Sequence, residues 1–291
     1  MKRYLYYPGC SLHSTSREYD LSARTVCQRL GIGLEEIPDW VCCGATPAHV
    51  TDHLLAVALP VKSLISAGKV DGRDVVTCCA ACFGRLKAAN QEMAEDVEIR
   101  AQVKQLLGEE YRGEVRVRHL LEVLLEDVGL QELGLRAERK ISGLAVASYY
   151  GCLLVRPPKL MRFDDPERPR SMDDLMQAVG ARAVGWAYNI ECCGASLSLT
   201  RTEIVLRLCR DILADAKARG ADCLAVACPL CQSNLDLRQA EVEKAYGVRF
   251  GLPVLYFTQL LGLALGAGLG ELGLDRLLVD PIPLLRSKGL V

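Results

Sequence analysis

Two adjacent cysteines followed by Gly-Ala occur twice, as Cys42-Cys43-Gly44-Ala45 and Cys192-Cys193-Gly194-Ala195, 192 − 42 = 150 positions apart. A lone cysteine after a strand-like run precedes each doublet, Cys10 and Cys152, and a Cys-x-x-Cys follows it, Cys79/Cys82 and Cys228/Cys231. Ten of the fourteen cysteines therefore fall into two matching sets of five. Thiolates are soft donors that select zinc, copper(I) or iron–sulfur clusters. A structural zinc ion takes four ligands in a closed tetrahedron. Each set here offers five, and adjacent cysteines point in different directions, which suits a multi-iron cluster better than a single ion. A structural zinc protein is the alternative, to be decided by analysis for iron, zinc and acid-labile sulfide.

The totals narrow the setting. A chain of 291 residues that is 50% hydrophobic can bury a core without disulfides. A net charge of −1 supplies no field for nucleic acid or an anionic membrane. Met1-Lys2-Arg3 runs straight into Tyr4-Leu5-Tyr6-Tyr7 with no signal-peptide core, so a cytoplasmic location is expected. Thiols stay reduced there, which favours metal or redox chemistry over a disulfide framework. The apolar stretch at 252–268 is too short and too broken by Pro253, polar residues and glycines to span a membrane.

Short strands alternating with helices must position these cysteines. In the first half, strands are expected at 4–7, 33–37 and 74–77, with helices at 19–30, 49–67 (kinked or divided at Pro60) and 80–95. Residues 97–140 read as a connecting region with helical periodicity, strongly apolar at Leu120–Leu125 and charged at 134–140. The second half repeats the order, with strands at 143–150, 183–188 and 222–227, helices at 172–179, 202–219 and from Cys228 to about Ala245, and one further strand at 254–257. A Pro-rich charged loop at 157–169 has no counterpart, which lengthens the first spacing (42 − 10 = 32 against 192 − 152 = 40). The expected fold is α/β: two pseudo-symmetric halves, 1–140 and 141–291, each a small parallel sheet flanked by helices. Every cysteine group follows a strand, so each set should gather at the C-terminal edge of its sheet, where such folds place their sites. The Cys-x-x-Cys pairs open helices, whose dipole favours thiolate.

Other candidates have plainer readings. Cys27, Cys209 and Cys223 lie on apolar faces and read as packing. Cys78 adds a second doublet beside Cys79, but it cannot form the Cys-x-x-Cys with Cys82 and reads as a strand-end core residue. His13, His49, His53 and His119 lack metal-ligand spacing as a group, and Tyr6, Tyr7, Tyr149 and Tyr150 read as strand core. Gly44 and Gly194 are expected to let the backbone approach a bulky group. Arg156, Lys159 and Arg162 read as a solvated loop, and no Gly-x-Gly-x-x-Gly follows a strand to bind a nucleotide or flavin.

The doubled Cys-Cys-Gly pattern resembles the cysteine-rich domain shared by heterodisulfide reductase B subunits and by subunits of some glycolate, lactate and succinate oxidoreductases. The opening Tyr7-Pro8-Gly9-Cys10-Ser11-Leu12 and the late segment from Pro253 to Leu263 make the whole chain most similar to the B-subunit family. That resemblance implies two noncubane [4Fe-4S] clusters near the interface of the halves. One would be held by Cys10, Cys42, Cys43, Cys79 and Cys82, and the other by Cys152, Cys192, Cys193, Cys228 and Cys231. It further implies a catalytic subunit that cleaves a disulfide homolytically between the clusters, with the coenzyme M–coenzyme B heterodisulfide as the substrate in methanogens. Electrons would come from a C-type partner with cubane clusters and an A-type flavoprotein. The alternative function is a non-catalytic electron-transfer subunit of a larger oxidoreductase, such as one acting on 2-hydroxy acids.

Overall fold

The computed structural model describes residues 2–45 and 47–291. Two four-stranded sheets, every pair parallel, carry the fold. The first contains β1 (Arg3–Tyr7), β2 (Gly33–Glu36), β3 (Val75–Thr77) and β4 (Val117–His119) in the order β2-β1-β3-β4. The second contains β5 (Ala145–Tyr149), β6 (Arg182–Ala183), β7 (Cys223–Val226) and β8 (Val254–Tyr256) in the order β6-β5-β7-β8. The halves thus share one topology, and all residues of β5 and β7 are buried. Such continuous apolar strands are what helix-covered parallel sheets require.

In both orders the chain leaves the first strand to one side and returns on the other. The crevice between β1 and β3, and that between β5 and β7, is therefore a topological switch point, where ligands of open parallel sheets bind. Helices Arg17–Arg29, His53–Gly68 and Ala80–Glu95 make the first half's crossovers, and Ser171–Ala178 and Thr202–Ala218 those of the second.

The seam between the halves is built reciprocally. Helix Phe257–Ala264 packs on helix Arg17–Arg29, and helix Leu130–Arg136 packs on Ser171–Ala178. Tyr19 and Tyr256 stack with ring centroids 3.9 Å apart, and the buried Ser22 and Thr258 hydroxyls lie 2.7 Å apart. Burial of these aromatic faces stabilises this part of the seam, because rings of this size carry a large apolar area.

Three details differ from the sequence expectation. The region 97–140 supplies the strand β4, whose Val117-Arg118-His119 has no apolar alternation to reveal it. Arg118 is 2% exposed and is held by Asp127 and Glu126 at 2.5 and 2.8 Å, so a buried cation occupies a strand position. The helix expected at 49–67 is divided at Asp52, which caps His53–Gly68 by accepting from the Leu55 N–H, and the helix then runs through Pro60. The Asp52 carboxylate satisfies a helix-start N–H that has no intrahelical acceptor, which sets the start of the second helix there. The strand expected at 183–188 is only Arg182–Ala183, beyond which the chain leaves the sheet. Among the described residues no helix is long and apolar enough to cross a membrane.

Candidate functional site

Each cysteine leaves a strand end. Cys10 follows β1, the doublet Cys42-Cys43 follows β2, and Cys79 follows β3 and stands at the start of helix Ala80–Glu95. Cys152, Cys192-Cys193 and Cys228 stand in the same places after β5, β6 and β7. The parallel register therefore brings each scattered set to one sheet edge. The Sγ atoms of Cys10 and Cys42 are 3.6 Å apart and those of Cys43 and Cys82 are 3.4 Å apart. Their counterparts, Cys152–Cys192 and Cys193–Cys231, are both at 3.7 Å. These separations are non-bonded, and all fourteen cysteines are free. The sets also approach each other at the seam, where Cys79 and Cys228 lie close enough to drive their ionisation apart, Cys79 up and Cys228 down.

All five thiols of the first set line a cavity of about 630 Å³, whose far wall comes from the second half through Ala195, Leu197, Leu199 and Leu230. A second cavity of about 500 Å³ holds Cys152 and Cys192, with His49 and Arg85 facing in from the first half. Ala45, Ala81, Ala195 and Leu230 line both. These are pseudo-equivalent pairs, one residue after each Cys-Cys-Gly and one inside each Cys-x-x-Cys. The shared wall is apolar, so the polar groups of the space are the sulfurs, a few hydroxyls and, in the second cavity, His49, Arg85 and Arg156.

The first cysteine of each doublet is held as a thiolate, and in the second set Cys228 is held well down too, by hydrogen bonding from Cys231 and then Cys79. Hydrogen bonding from Cys10, then Cys43, with the Gly44 N–H, holds Cys42 down at about 2. Cys152 above all, with the Gly194 and Ala195 N–H groups, brings Cys192 to about 6. The neighbours Cys10 and Cys152 are pushed up in turn, first by the same contacts and then by burial. One thiolate stabilised by protonated neighbours is the expected state of clustered thiols at close range.

Two ties hold the doublets, and a reading of the tyrosines as strand core does not anticipate either. Tyr7 ends β1 and donates its hydroxyl to the Val41 carbonyl at 2.6 Å; Tyr149 ends β5 and donates to the Glu191 carbonyl at 2.6 Å. Each acceptor is the residue before a doublet. Both tyrosines stand three positions before their lone cysteine (10 − 7 and 152 − 149), so the repeat itself carries the signal.

The glycines sort differently from the expectation. Gly44 (φ 68°) and Gly194 (φ 78°) adopt left-handed backbone, but a side chain there would strike Ala48 and Leu59, or Val205 and Leu208, rather than the thiols. The close approach to sulfur belongs to Gly9 and Gly151. A Cβ on Gly9 would lie 2.9 Å from Cys82 Sγ, and one on Gly151 would lie 3.1 Å from Cys231 Sγ. The Gly-Cys pair at both lone cysteines is the available signal.

The remaining candidates lie apart or act indirectly. Cys78 is fully buried, with the Tyr6 hydroxyl at 3.8 Å, and is not among the residues lining either cavity. Cys27 and Cys223 are buried, and Cys209 packs with its thiol 3.8 Å from the Cys193 carbonyl. His13 and His53 pair with Glu36 and Glu92. Arg156 lines the second cavity while bonded to the Pro166 carbonyl and Glu167; Lys159 and Arg162 line a separate polar groove. His119 is fully buried, and burial depresses its imidazole to about 4.

Comparison with known proteins places this geometry. Residues 4–87 and 146–236 match the family described as the CCG cysteine-rich domain. The chain is 32% identical over 282 residues to the 8-methylmenaquinol:fumarate reductase membrane anchor subunit of Wolinella succinogenes, covering 96% of this chain and 98% of that one. It is 31% identical over 285 residues to the B subunit of the ferredoxin/F(420)H(2)-dependent CoB-CoM heterodisulfide reductase of Methanosarcina acetivorans, with 96% and 94% covered. Among solved structures, a hypothetical protein from Helicobacter pylori superposes with a TM-score of 0.76 at 15% identity. That match takes in 96% of this chain and about half (52%) of the solved chain, and it shows the shared fold. With the family match falling on both thiol-bearing halves and the relatives aligned almost end to end, the chain belongs to the family of heterodisulfide reductase B subunits, built on a duplicated cysteine-rich domain.

Proposed function

We propose that this chain is the catalytic iron–sulfur component of a heterodisulfide reductase type complex, reducing a disulfide to two thiols. The observation that carries the reading is the gathering of two five-thiol sets beside one seam, with adjoining cavities that share the wall of Ala45, Ala81, Ala195 and Leu230. A disulfide has two sulfurs and takes two electrons, and adjoining cavities that each carry thiols, five in the first and two in the second, suit that demand.

The residues present fit two [4Fe-4S] clusters of the noncubane kind. The donor set is purely thiol, Cys42 and Cys192 are held as thiolates, and the Gly194 N–H points at Cys192 Sγ at 3.3 Å. Gly9 and Gly151 leave open the space that a side chain would take beside Cys82 and Cys231. Cys10, Cys42, Cys43, Cys79 and Cys82 would hold one cluster, and Cys152, Cys192, Cys193, Cys228 and Cys231 the other. When bound, the clusters supply the two electrons of the reduction. The protein's own contribution is positional: Tyr7 and Tyr149 fix the doublets, the shared Ala and Leu wall gives the space an apolar side, and hydrogen bonding among the inner sulfurs, then burial, shifts their ionisation.

Relatives named as CoB-CoM heterodisulfide reductase subunits support that disulfide, or a related one, as the substrate. We place the chain in the cytoplasm, receiving electrons through a C-type partner with cubane clusters from an A-type flavoprotein. The relative named as a fumarate reductase membrane anchor subunit favours a second reading, a non-catalytic electron-transfer component of another oxidoreductase. Iron and sulfide quantification with electron paramagnetic resonance, before and after addition of the coenzyme M–coenzyme B heterodisulfide, tests both. A new thiol-dependent signal supports the catalytic reading; iron and sulfide with no response favours the electron-transfer reading; zinc without sulfide refutes both.

A further inference from the structure

His119 is the last residue of β4 and is wholly buried. Its Nδ1 accepts from the Leu121 N–H at 3.2 Å, which leaves the ring's proton on Nε2. That single N–H is shared between two carbonyl oxygens, Cys78 at 2.8 Å and Ala227 at 3.2 Å. These residues immediately precede Cys79 and Cys228, so the shared imidazole draws the starts of the two Cys-x-x-Cys turns together across the seam. Phe83 and Phe257, one from each half, pack around the ring at centroid distances of 5.8 and 6.2 Å.

The tie has no mirror image. In register, His119 stands beside Thr77 in the first sheet as Tyr256 stands beside Val226 in the second. Tyr256 stacks on Tyr19 instead of reaching back to the peptides before the cysteines. One imidazole therefore serves both Cys-x-x-Cys turns.

We propose that His119 is a positioning residue that locks the Cys79 and Cys228 turns into one frame, so that the two thiol sets stand at a fixed separation and respond electrically together. The functional part of this inference rests on the disulfide-reducing reading above, in which both sets face one substrate. Without the shared N–H, two buried carbonyls lose their donor next to thiol ligands, and their freed negative ends lower the reduction potential of both centres in the same sense.

The test uses the full chain with three variants. His119→Gln keeps a neutral N–H donor at comparable reach, and His119→Leu keeps bulk without a donor. His119→Asn carries the same amide one methylene short, and serves if the Leu variant does not fold. The first readout is independent of any bound group: mild oxidation of the cluster-stripped full chain, with the Cys79–Cys228 disulfide quantified by mass spectrometry. Wild type and His119→Gln should cross-link readily, and the Leu and Asn variants at least ~5-fold more slowly. The second is a potentiometric titration followed by electron paramagnetic resonance, in which Leu and Asn should shift both centres downward and Gln should restore them. Wild-type cross-linking and potentials in the Leu and Asn variants, or a shift confined to one centre, would overturn the proposal. Absence of disulfide reduction by wild type would instead remove the disulfide reading, and the cross-linking result would stand or fall by itself.

Discussion

Gly9 and Gly31 offer a matched pair, because both have φ of 72° and only one faces sulfur. Alanine in left-handed backbone costs ~1–2 kcal/mol, offset by ~0.4–1 kcal/mol from the smaller entropy of its unfolded chain. Gly31→Ala meets nothing within 4 Å, so it should lose about 1 kcal/mol, or roughly 2–4 °C in melting temperature for a chain of this size. Gly9→Ala carries the same backbone cost and adds a Cβ at 2.9 Å from Cys82 Sγ, closer than real Cβ contacts allow. A free cysteine could rotate away; one that also ligates cannot. Gly9→Ala should therefore lose iron and sulfide from the first set while the second stays loaded, whereas Gly31→Ala keeps both. The assay is scanning fluorimetry with iron and sulfide quantification on anaerobically purified protein. Equal melting temperatures and equal iron in the two variants would refute the argument that Gly9 is glycine because of Cys82.

Tyr7→Phe removes the hydroxyl held by the Val41 carbonyl and should cost ~1 kcal/mol, with faster iron loss to a chelator; wild-type kinetics would show that the tie does not hold the doublet. Burial lifts the Asp173 carboxyl from 3.8 to about 6. A raised folded value stabilises the protein below the unfolded pKa and is lost as pH rises through 6. Asp173→Asn should flatten the melting temperature between pH 4 and 7 and raise stability at pH 8 by ~1–2 kcal/mol after allowance for solvent screening; an unchanged pH profile would contradict this. Ser22→Ala leaves the buried Thr258 hydroxyl without its seam partner and should cost ~1–3 kcal/mol. The double variant Ser22→Ala/Thr258→Val should be less destabilised than the sum of the singles, and strict additivity in urea melts would show the pair to be uncoupled.

Much of this arrangement is legible in the sequence because the chemistry repeats. The cysteine order and the strand before each group imply the parallel halves, and parallel register gathers each set at one edge. β4 stays hidden because three residues carry no period and its centre is a buried arginine, neutralised by carboxylates four to nine positions downstream that the sequence does not mark as its partners. His119 escapes any search for metal-ligand spacing, because its partners are backbone carbonyls from segments 41 and 108 residues away. Gly44 reads as facing the thiols although its own neighbours are Ala48 and Leu59, since sequence shows that a glycine is needed but not which atom would collide with its Cβ.

Cys78 and Ala227, which share the His119 N–H, hold the same place in their respective halves, each one residue before a Cys-x-x-Cys. Equivalent residues meet in this way at an isologous dimer interface. The two halves are thus arranged like the subunits of a homodimer within one polypeptide, and neither is required to be identical to its partner. Where an exact two-fold would need one side chain to satisfy both copies, one half now carries His119 and the other Tyr256, the first tying peptides and the second stacking rings.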